Sequence, residues 1–460
     1  MPTAAESATP PATTPPAPAP SEALVTTAHE IVIDGRSFAS TATAGTLVLK
    51  DETGKAKASI FFVAYHLDDQ DGVGERPITF SFNGGPGSSS VWLHLGLLGP
   101  RRVVSGDVGQ VAPPPYRLTD NEYTLLTVSD LVFIDPVSTG YSRAAQGEEA
   151  NQFHGLEKDI ESVGGFIRVY GSRFKRWCSP KFLIGESYGT TRAVGLSGHL
   201  QNRHGLYLNG LMLISVVLDF ATLSFEPGFD LPYLLHLPTY AATAHYHGRA
   251  GQDKVHDLRS FLAEVETFVR GEYALALFKG DRLSGDERRQ IVAQLTRFTG
   301  LSAAYLEQTD LRVEINRFCK ELLRHEQRTV GRLDSRFQGA DRDAAGEHPE
   351  ADPSYQAILG PYGGALNAYL REELNYATDL PYELLASLYE QWDYSKHQNK
   401  FVHVGDTLRA AMAQNPALRV FVANGYYDLA TPYLATEYTF DHLSLSAAAR
   451  ANLRMAYYEA

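Results

Sequence analysis

A serine flanked by glycines, Gly185-Glu-Ser187-Tyr-Gly189, follows the apolar run Phe182–Ile184 and precedes a small-residue stretch, Thr190 to Gly198, that can be helical. Where a strand turns sharply into a helix there is no room for side chains beside the turning residue. The glycines therefore let the Ser187 hydroxyl stand out at a sheet edge near a helix N-terminus, as an acyl-transfer nucleophile must. Ser81-Phe-Asn-Gly-Gly-Pro-Gly-Ser-Ser-Ser90 also follows an apolar run, Ile78 to Phe82. Gly-rich backbone after an early strand offers unobstructed N–H donors where an oxyanion develops. A phosphate loop would need a Gly-Lys-Ser/Thr ending, which is absent, and a merely structural tight turn is the other reading. In the third element, Val420-Phe-Val-Ala-Asn-Gly-Tyr-Tyr-Asp428 followed by Thr431-Pro432, an apolar strand ends in a turn with one carboxylate. An acid late in the chain can orient the histidine of a serine nucleophile in the order Ser, Asp, His. Read alone, the same turn could be an N-cap for a helix near Pro432.

The elements that must position these residues are short apolar runs alternating with longer polar or helical stretches: Ile78 to Phe82, Leu131 to Ile134, Phe182 to Ile184, Leu206 to Ile214 and Val420 to Ala423. That alternation predicts an α/β fold with a mixed, mostly parallel sheet covered by helices. Before it, Glu30 to Asp34 and Ala58 to His66 read as antiparallel opening strands separated by turns. The gap between the last two runs is too long for one crossover helix. Within it, Val255, Leu258, Phe261, Leu262, Val265, Phe268 and Val269 recur at helical spacing, as do Ile315, Phe318, Cys319, Leu322 and Leu323. The expected division is a Pro/Ala/Thr-rich disordered tail at 1–22, a core formed by 23–219 and 376–460, and a helical cap inserted at 220–375.

Composition narrows the partners. The 460 residues carry a net charge of −13, which opposes a phosphate backbone, so nucleic acid is not an expected partner. No apolar run approaches the ~18 residues of a membrane span, and a soluble protein is expected. No h-region precedes the first basic residue, Arg36, so no Sec-type signal peptide is visible and a cytoplasmic location is favoured over export. Two cysteines, Cys178 and Cys319, cannot make a disulfide framework, and Cys319 reads as a core residue. His245-Tyr-His247 and His256 have no carboxylate or Cys at ligand spacing. No metal and no cofactor are expected.

Together the motifs resemble the serine carboxypeptidase family, peptidase family S10, within the α/β-hydrolase fold. The resemblance rests on Asn83-Gly-Gly-Pro-Gly87 then Ser89, Asp135-Pro-Val-x-x-Gly-Tyr-Ser142, Gly185-Glu-Ser-Tyr188 and Gly425-x-x-Asp428. It implies Ser187 as nucleophile, Asp428 as triad acid, and the N–H groups of Gly85 and Tyr188 as oxyanion hole. Asn83, Gly84 and Glu186 would hold the C-terminal carboxylate of a peptide. The implied activity is that of an exopeptidase releasing C-terminal residues through an acyl-enzyme. Ester hydrolysis or acyl transfer at the same residues, and a binding protein on an inactive frame, are the alternatives. The sequence departs from the family at Ser81, where a Trp is usual, and at Ser88, where a Cys is usual. It departs again at Gly189-Thr190, in place of Ala-Gly. These traits resemble a disulfide-poor bacterial branch. Only His442 follows Asp428, within a helical pattern, and the candidate strand Leu453 to Glu459 should precede the catalytic histidine. The expectation is a chain that stops short of that residue.

Overall fold

The computed structural model describes residues 22–33, 35–68, 75–251 and 257–459. The tail expected at 1–22 lies outside them except for Glu22, whose carboxylate accepts the Val48 N–H. His256 also lies outside.

The main sheet runs through nine strands: β1 (Leu24–Ile33), β2 (Arg36–Lys50), β3 (Ala56–Leu67), β4 (Ile78–Phe82), β5 (Asp130–Ile134), β6 (Lys181–Ser187), β7 (Gly210–Val216), β8 (Arg419–Gly425) and β9 (Leu453–Tyr458). Their spatial order is β1-β2-β3-β5-β4-β6-β7-β8-β9, with a short strand at Arg143–Ala144 pairing β3 off that path. The first three and β5 pair antiparallel. From β5 to β9 every pairing is parallel. β4 and β5 are buried at every residue, which is why they read as unbroken apolar runs: helices cover both faces of a parallel sheet.

One opening element differs from expectation. Residues 36–50, taken partly as turn, form the 15-residue strand β2. Its Ser-, Thr- and Ala-rich sequence carries little strand signal of its own. It is held by ladders on both sides, to β1 and to β3, so tertiary pairing overrides weak propensity.

Helices α1 (Leu156–Arg173), α2 (Tyr188–His204) and α7 (Gly405–Gln414) share one core cluster with the sheet. Between β7 and β8 come α3 (Leu231–Tyr246), α4 (Leu258–Phe268), α5 (Gly285–Thr299), further short helices and α6 (Pro353–Glu372). They are interrupted by a two-stranded hairpin, Arg328–Val330 with Gln338–Ala340, which periodicity did not reveal. Residues of α3 to α5 form a second core that takes in Tyr426, Tyr427, Leu429 and Tyr433 from the segment after β8. Cys319 is buried there, and that burial pushes its thiol well up. Among the described residues no helix is long and apolar enough to cross a membrane.

The largest fully buried side chain is charged. Arg192 of α2 is 1% exposed, its Nε donates to Asp159 Oδ2 of α1 at 2.8 Å, and its Nη1 donates to the Asn83 carbonyl at 2.6 Å. Its guanidinium also lies over the Phe82 and Tyr188 rings, at 5.2 and 5.3 Å. One side chain thus joins two helices to the loop after β4. Removing one partner of a buried pair leaves the other charge uncompensated, at about 3–5 kcal/mol. Arg192→Leu should lose stability on that scale in urea unfolding. Asp159→Leu combined with Arg192→Met should lose less than the single change.

Candidate active site

β6 ends at Ser187, and α2 starts at the next residue. Ser187 has φ 56° and ψ −128°, a conformation a non-glycine residue keeps only where its surroundings enforce it. Thr190 supplies part of that enforcement. Its hydroxyl donates to the Ser187 carbonyl at 2.7 Å and accepts the Val217 N–H at 3.0 Å, tying the first turn of α2 to the end of β7.

The loop after β4 lies directly on this turn. A Cβ on Gly84 would stand 2.5 Å from the Tyr188 nitrogen and 2.8 Å from the Gly189 nitrogen. One on Gly189 would stand 2.8 Å from the Phe82 carbonyl oxygen. No side chain fits at either place, so the glycines are required by the approach of two backbones. Gly189, one of the departures from the family pattern, therefore sits where the smallest residue is needed.

The loop itself passes through a cis Gly85–Pro86 bond and is fixed from three directions. Asp135, at the end of β5, accepts both the N–H and the hydroxyl of Ser90, at 2.8 and 2.9 Å. Burial pushes that carboxyl up to about 6. Ser142, from the same motif, donates to the Asp135 carbonyl at 2.6 Å and accepts the Phe61 N–H at 2.7 Å. Residues 383–386 lie across the loop: Ala386 N–H donates to the Gly87 carbonyl at 2.8 Å, and Ser89 N–H to the Leu384 carbonyl at 3.0 Å. The Ser88 hydroxyl accepts Trp92 Nε1–H at 2.9 Å, a local tie at the position where the family carries a Cys. Ser81 is fully buried on β4.

Asn83 and Glu186 meet across the same contact. Asn83 Nδ2 donates to Glu186 Oε2 at 2.9 Å, and Asn83 Oδ1 accepts the Leu93 N–H at 3.0 Å. Burial pushes Glu186 up to about 7, with the Asp428 charge adding to the effect against the hydrogen bonds from Asn83 and Gly84. Glu186 therefore exchanges its proton near neutrality.

Asp428 lies two strands further along. Ile214 of β7 pairs with Glu186 on one side and Ala423 on the other, so Ser187 and Asp428 follow the carboxyl ends of strands that flank β7. The Asp428 carboxylate accepts Ala430 N–H (2.9 Å), Thr431 N–H (3.0 Å) and the Thr431 hydroxyl (2.7 Å). It does not cap α8 (Tyr433–Asp441), which starts after Pro432. Burial nevertheless raises its pKa.

Sequence reasoning missed what braces this turn from outside. The Arg332 carbonyl accepts both Leu429 and Ala430 N–H at 3.1 Å, and Ser335 N–H donates to the Tyr427 carbonyl at 2.9 Å. On α3 the buried His236 ring lies between the carbonyls of Pro232 (2.8 Å) and Leu429. Nothing in a run such as Arg332 to Ser335 signals such a role, because the contacts are made by backbone. Arg192 was missed for a related reason: one charge in a small-residue helix reads as an exposed position.

The other histidines of the sequence motifs that the structure describes lie elsewhere. His442 is exposed at the C-terminus of α8, its Nδ1 2.7 Å from the Tyr438 carbonyl and its ring tilted against that of Tyr438. His247 Nε2 is 2.7 Å from the Ser335 carbonyl oxygen, and His245 packs on Phe261. Among the described residues no imidazole is hydrogen-bonded to Ser187 or Asp428.

The family model for serine carboxypeptidase matches residues 39–222. The pheromone-processing carboxypeptidase KEX1 of Saccharomyces cerevisiae is 32% identical over 148 residues, 30% of this chain and 19% of that protein. The match thus spans about a fifth of the length of the curated relatives. The crystal structure of KEX1(delta)p, a prohormone-processing carboxypeptidase from Saccharomyces cerevisiae, superposes with a TM-score of 0.53 at 18% identity, over 88% of this chain and 77% of that one. The fold is that of the α/β-hydrolases. Within it, residues 39–222 are similar to the serine carboxypeptidase family.

Glu186 gives a test of the electrostatics independent of activity. Its pKa is raised in the folded state, so between about 4.5 and about 7 the folded protein holds a proton that the unfolded chain has released. Stability therefore falls as pH rises through that window, by up to about 3 kcal/mol. Glu186→Gln should flatten this slope, becoming more stable than the parent at pH 8 while differing little at pH 4. Urea unfolding at the two pH values reads the difference.

Proposed function

We propose that this protein is a serine-type carboxypeptidase that releases C-terminal residues from peptides through an acyl-enzyme. The observation that carries the reading is the contact between the two backbones: a serine held at positive φ, with an amide-paired, protonatable carboxyl beside it and a Gly-rich loop against the next N–H. In this reading Ser187 Oγ attacks the last peptide carbonyl while its proton passes to an imidazole oriented by Asp428. The N–H groups of Gly85 and Tyr188 receive the developing oxyanion. The imidazole returns the proton to the leaving amino group, the C-terminal residue departs, and water cleaves the Ser187 ester by the same steps. Asn83, Gly84 and Glu186 hold the substrate carboxylate, and the helical segment 220–375 shapes the acyl-side pocket. No metal or cofactor takes part, and peptides with a free C-terminus are the substrate class.

Two carboxyls at hydrogen-bond distance cannot both ionise cheaply, so Glu186 binds the substrate carboxylate while protonated. Its pKa of about 7 sets the sign: binding is retained below that pH and lost as pH rises through it. KM for free-acid peptides should climb from pH 5 to pH 8, while KM for esters and C-terminal amides stays flat. Glu186→Gln should remove the climb. A parent KM that does not vary with pH would refute the shared proton.

Asn83→Ala should raise KM for free-acid peptides by about tenfold, the worth of a hydrogen bond to a charged group. Equal losses on amidated peptides would instead point to a collapsed loop, because Asn83 also accepts the Leu93 N–H. The nucleophile is tested with a fluorophosphonate probe on the natural full-length protein. Labelling that Ser187→Ala abolishes is expected, and no labelling of the parent would overturn the proposal.

A further inference from the structure

β7 carries a bulge at its carboxyl end. Ile214 pairs with Glu186 and Val216 with Ser187, which leaves Ser215 as the extra residue. Its φ is 52°, in the left-handed region that a glycine would enter freely and an L side chain enters under strain. A bulge re-aims the side chain it displaces, and here the Ser215 hydroxyl comes close enough to the Asp428 carboxylate to favour its charged form.

The donors Ala430 N–H, Thr431 N–H and the Thr431 hydroxyl, which hydrogen-bond that carboxylate, all belong to its own turn. They fix the carboxylate relative to the turn but not relative to the sheet. Ser215 comes from the strand that pairs directly with the Ser187 strand. We propose that Ser215 is a positioning residue, holding Asp428 in register with Ser187 through its hydroxyl. The strained backbone is what brings that hydroxyl round. This rests on the reading of Ser187 and Asp428 as nucleophile and acid. The charged groups facing Asp428 are Glu186 on β6, which feels the Asp428 charge, and Arg332 of the inserted segment, whose positive charge favours the ionised form.

A hydroxyl that donates to a carboxylate favours its charged form, so removing it raises the carboxyl pKa. The 460-residue chain labelled with 13C at aspartate carboxyls reads this without any catalysis, the Asp428 resonance being assigned by its loss in Asp428→Asn. Ser215→Ala and Ser215→Gly should both move the Asp428 titration midpoint up by about one pH unit. Ser215→Gly should also melt no lower than the parent, since it releases the backbone strain. In the natural full-length protein, the acidic limb of kcat should move the same way, with the alkaline plateau kept within about threefold. A serine with a structural role only would give a lower kcat at every pH in Ser215→Ala, an unmoved limb, and recovery in Ser215→Gly. An Asp428 midpoint unchanged in both variants overturns the proposal. If the midpoint moves but the natural full-length protein hydrolyses no peptide, the positioning contact stands and the carboxypeptidase reading falls. If peptides are cleaved and neither midpoint nor limb moves, the reverse holds.

Discussion

Two stretches of backbone lie against each other with no side chain between them, and the candidate site is built on that contact. The loop after β4 rests on the turn between β6 and α2 so closely that a methyl group at Gly84 or Gly189 would overlap main-chain atoms. Such an approach brings carbonyls and N–H groups together out of water, and unpaired ones are costly. The molecule meets that cost with Arg192, which donates to the Asn83 carbonyl from beneath, and with Asp135, which takes the Ser90 N–H from the side. Ser187 keeps its unusual φ because the contact allows the turn nowhere else to go.

The same closeness concentrates negative charge at one sheet edge. Glu186 lies at the end of β6 and Asp428 follows β8, the two strands that flank β7, and each is shifted upward by burial. Their separate hydrogen-bond sets keep them apart in behaviour. Glu186 has an amide donor and titrates near neutrality. Asp428 has two N–H groups and a hydroxyl from its own turn, which oppose the effect of burial. Two carboxyls at one sheet edge can thereby occupy different protonation states at one pH.

Much of this was legible in the sequence because local chemistry demanded it. The strands β4, β5, β6 and β8 announce themselves as apolar runs, and their glycines and carboxylates fall at the ends where a parallel sheet exposes them. β2 was not legible, since Ser, Thr and Ala over residues 36–50 take up strand geometry only between two partners. The buried guanidinium of Arg192 and the bulge at Ser215 were hidden for the same reason. Each exists by virtue of distant pairing, and neither has a periodicity of its own. The hairpin at 328–340 was missed because each of its strands is three residues long.

The bracing of the Asp428 turn bears on how the inserted helices can move. The carbonyl of Arg332, the N–H of Ser335 and the ring of His236 all hold main-chain atoms of residues 427–430. A rigid outward swing of α3 with the hairpin would pull on that turn and drag the acid with it. Such a swing would therefore displace Asp428 from the strands it follows. Movement of these helices has to come from parts that share no hydrogen bond with the turn, and sequence change between β7 and β8 is restricted at the same residues. Changes on its outer helices are free to alter shape, whereas the Arg332–Ser335 corner must keep its backbone path whatever side chains it carries.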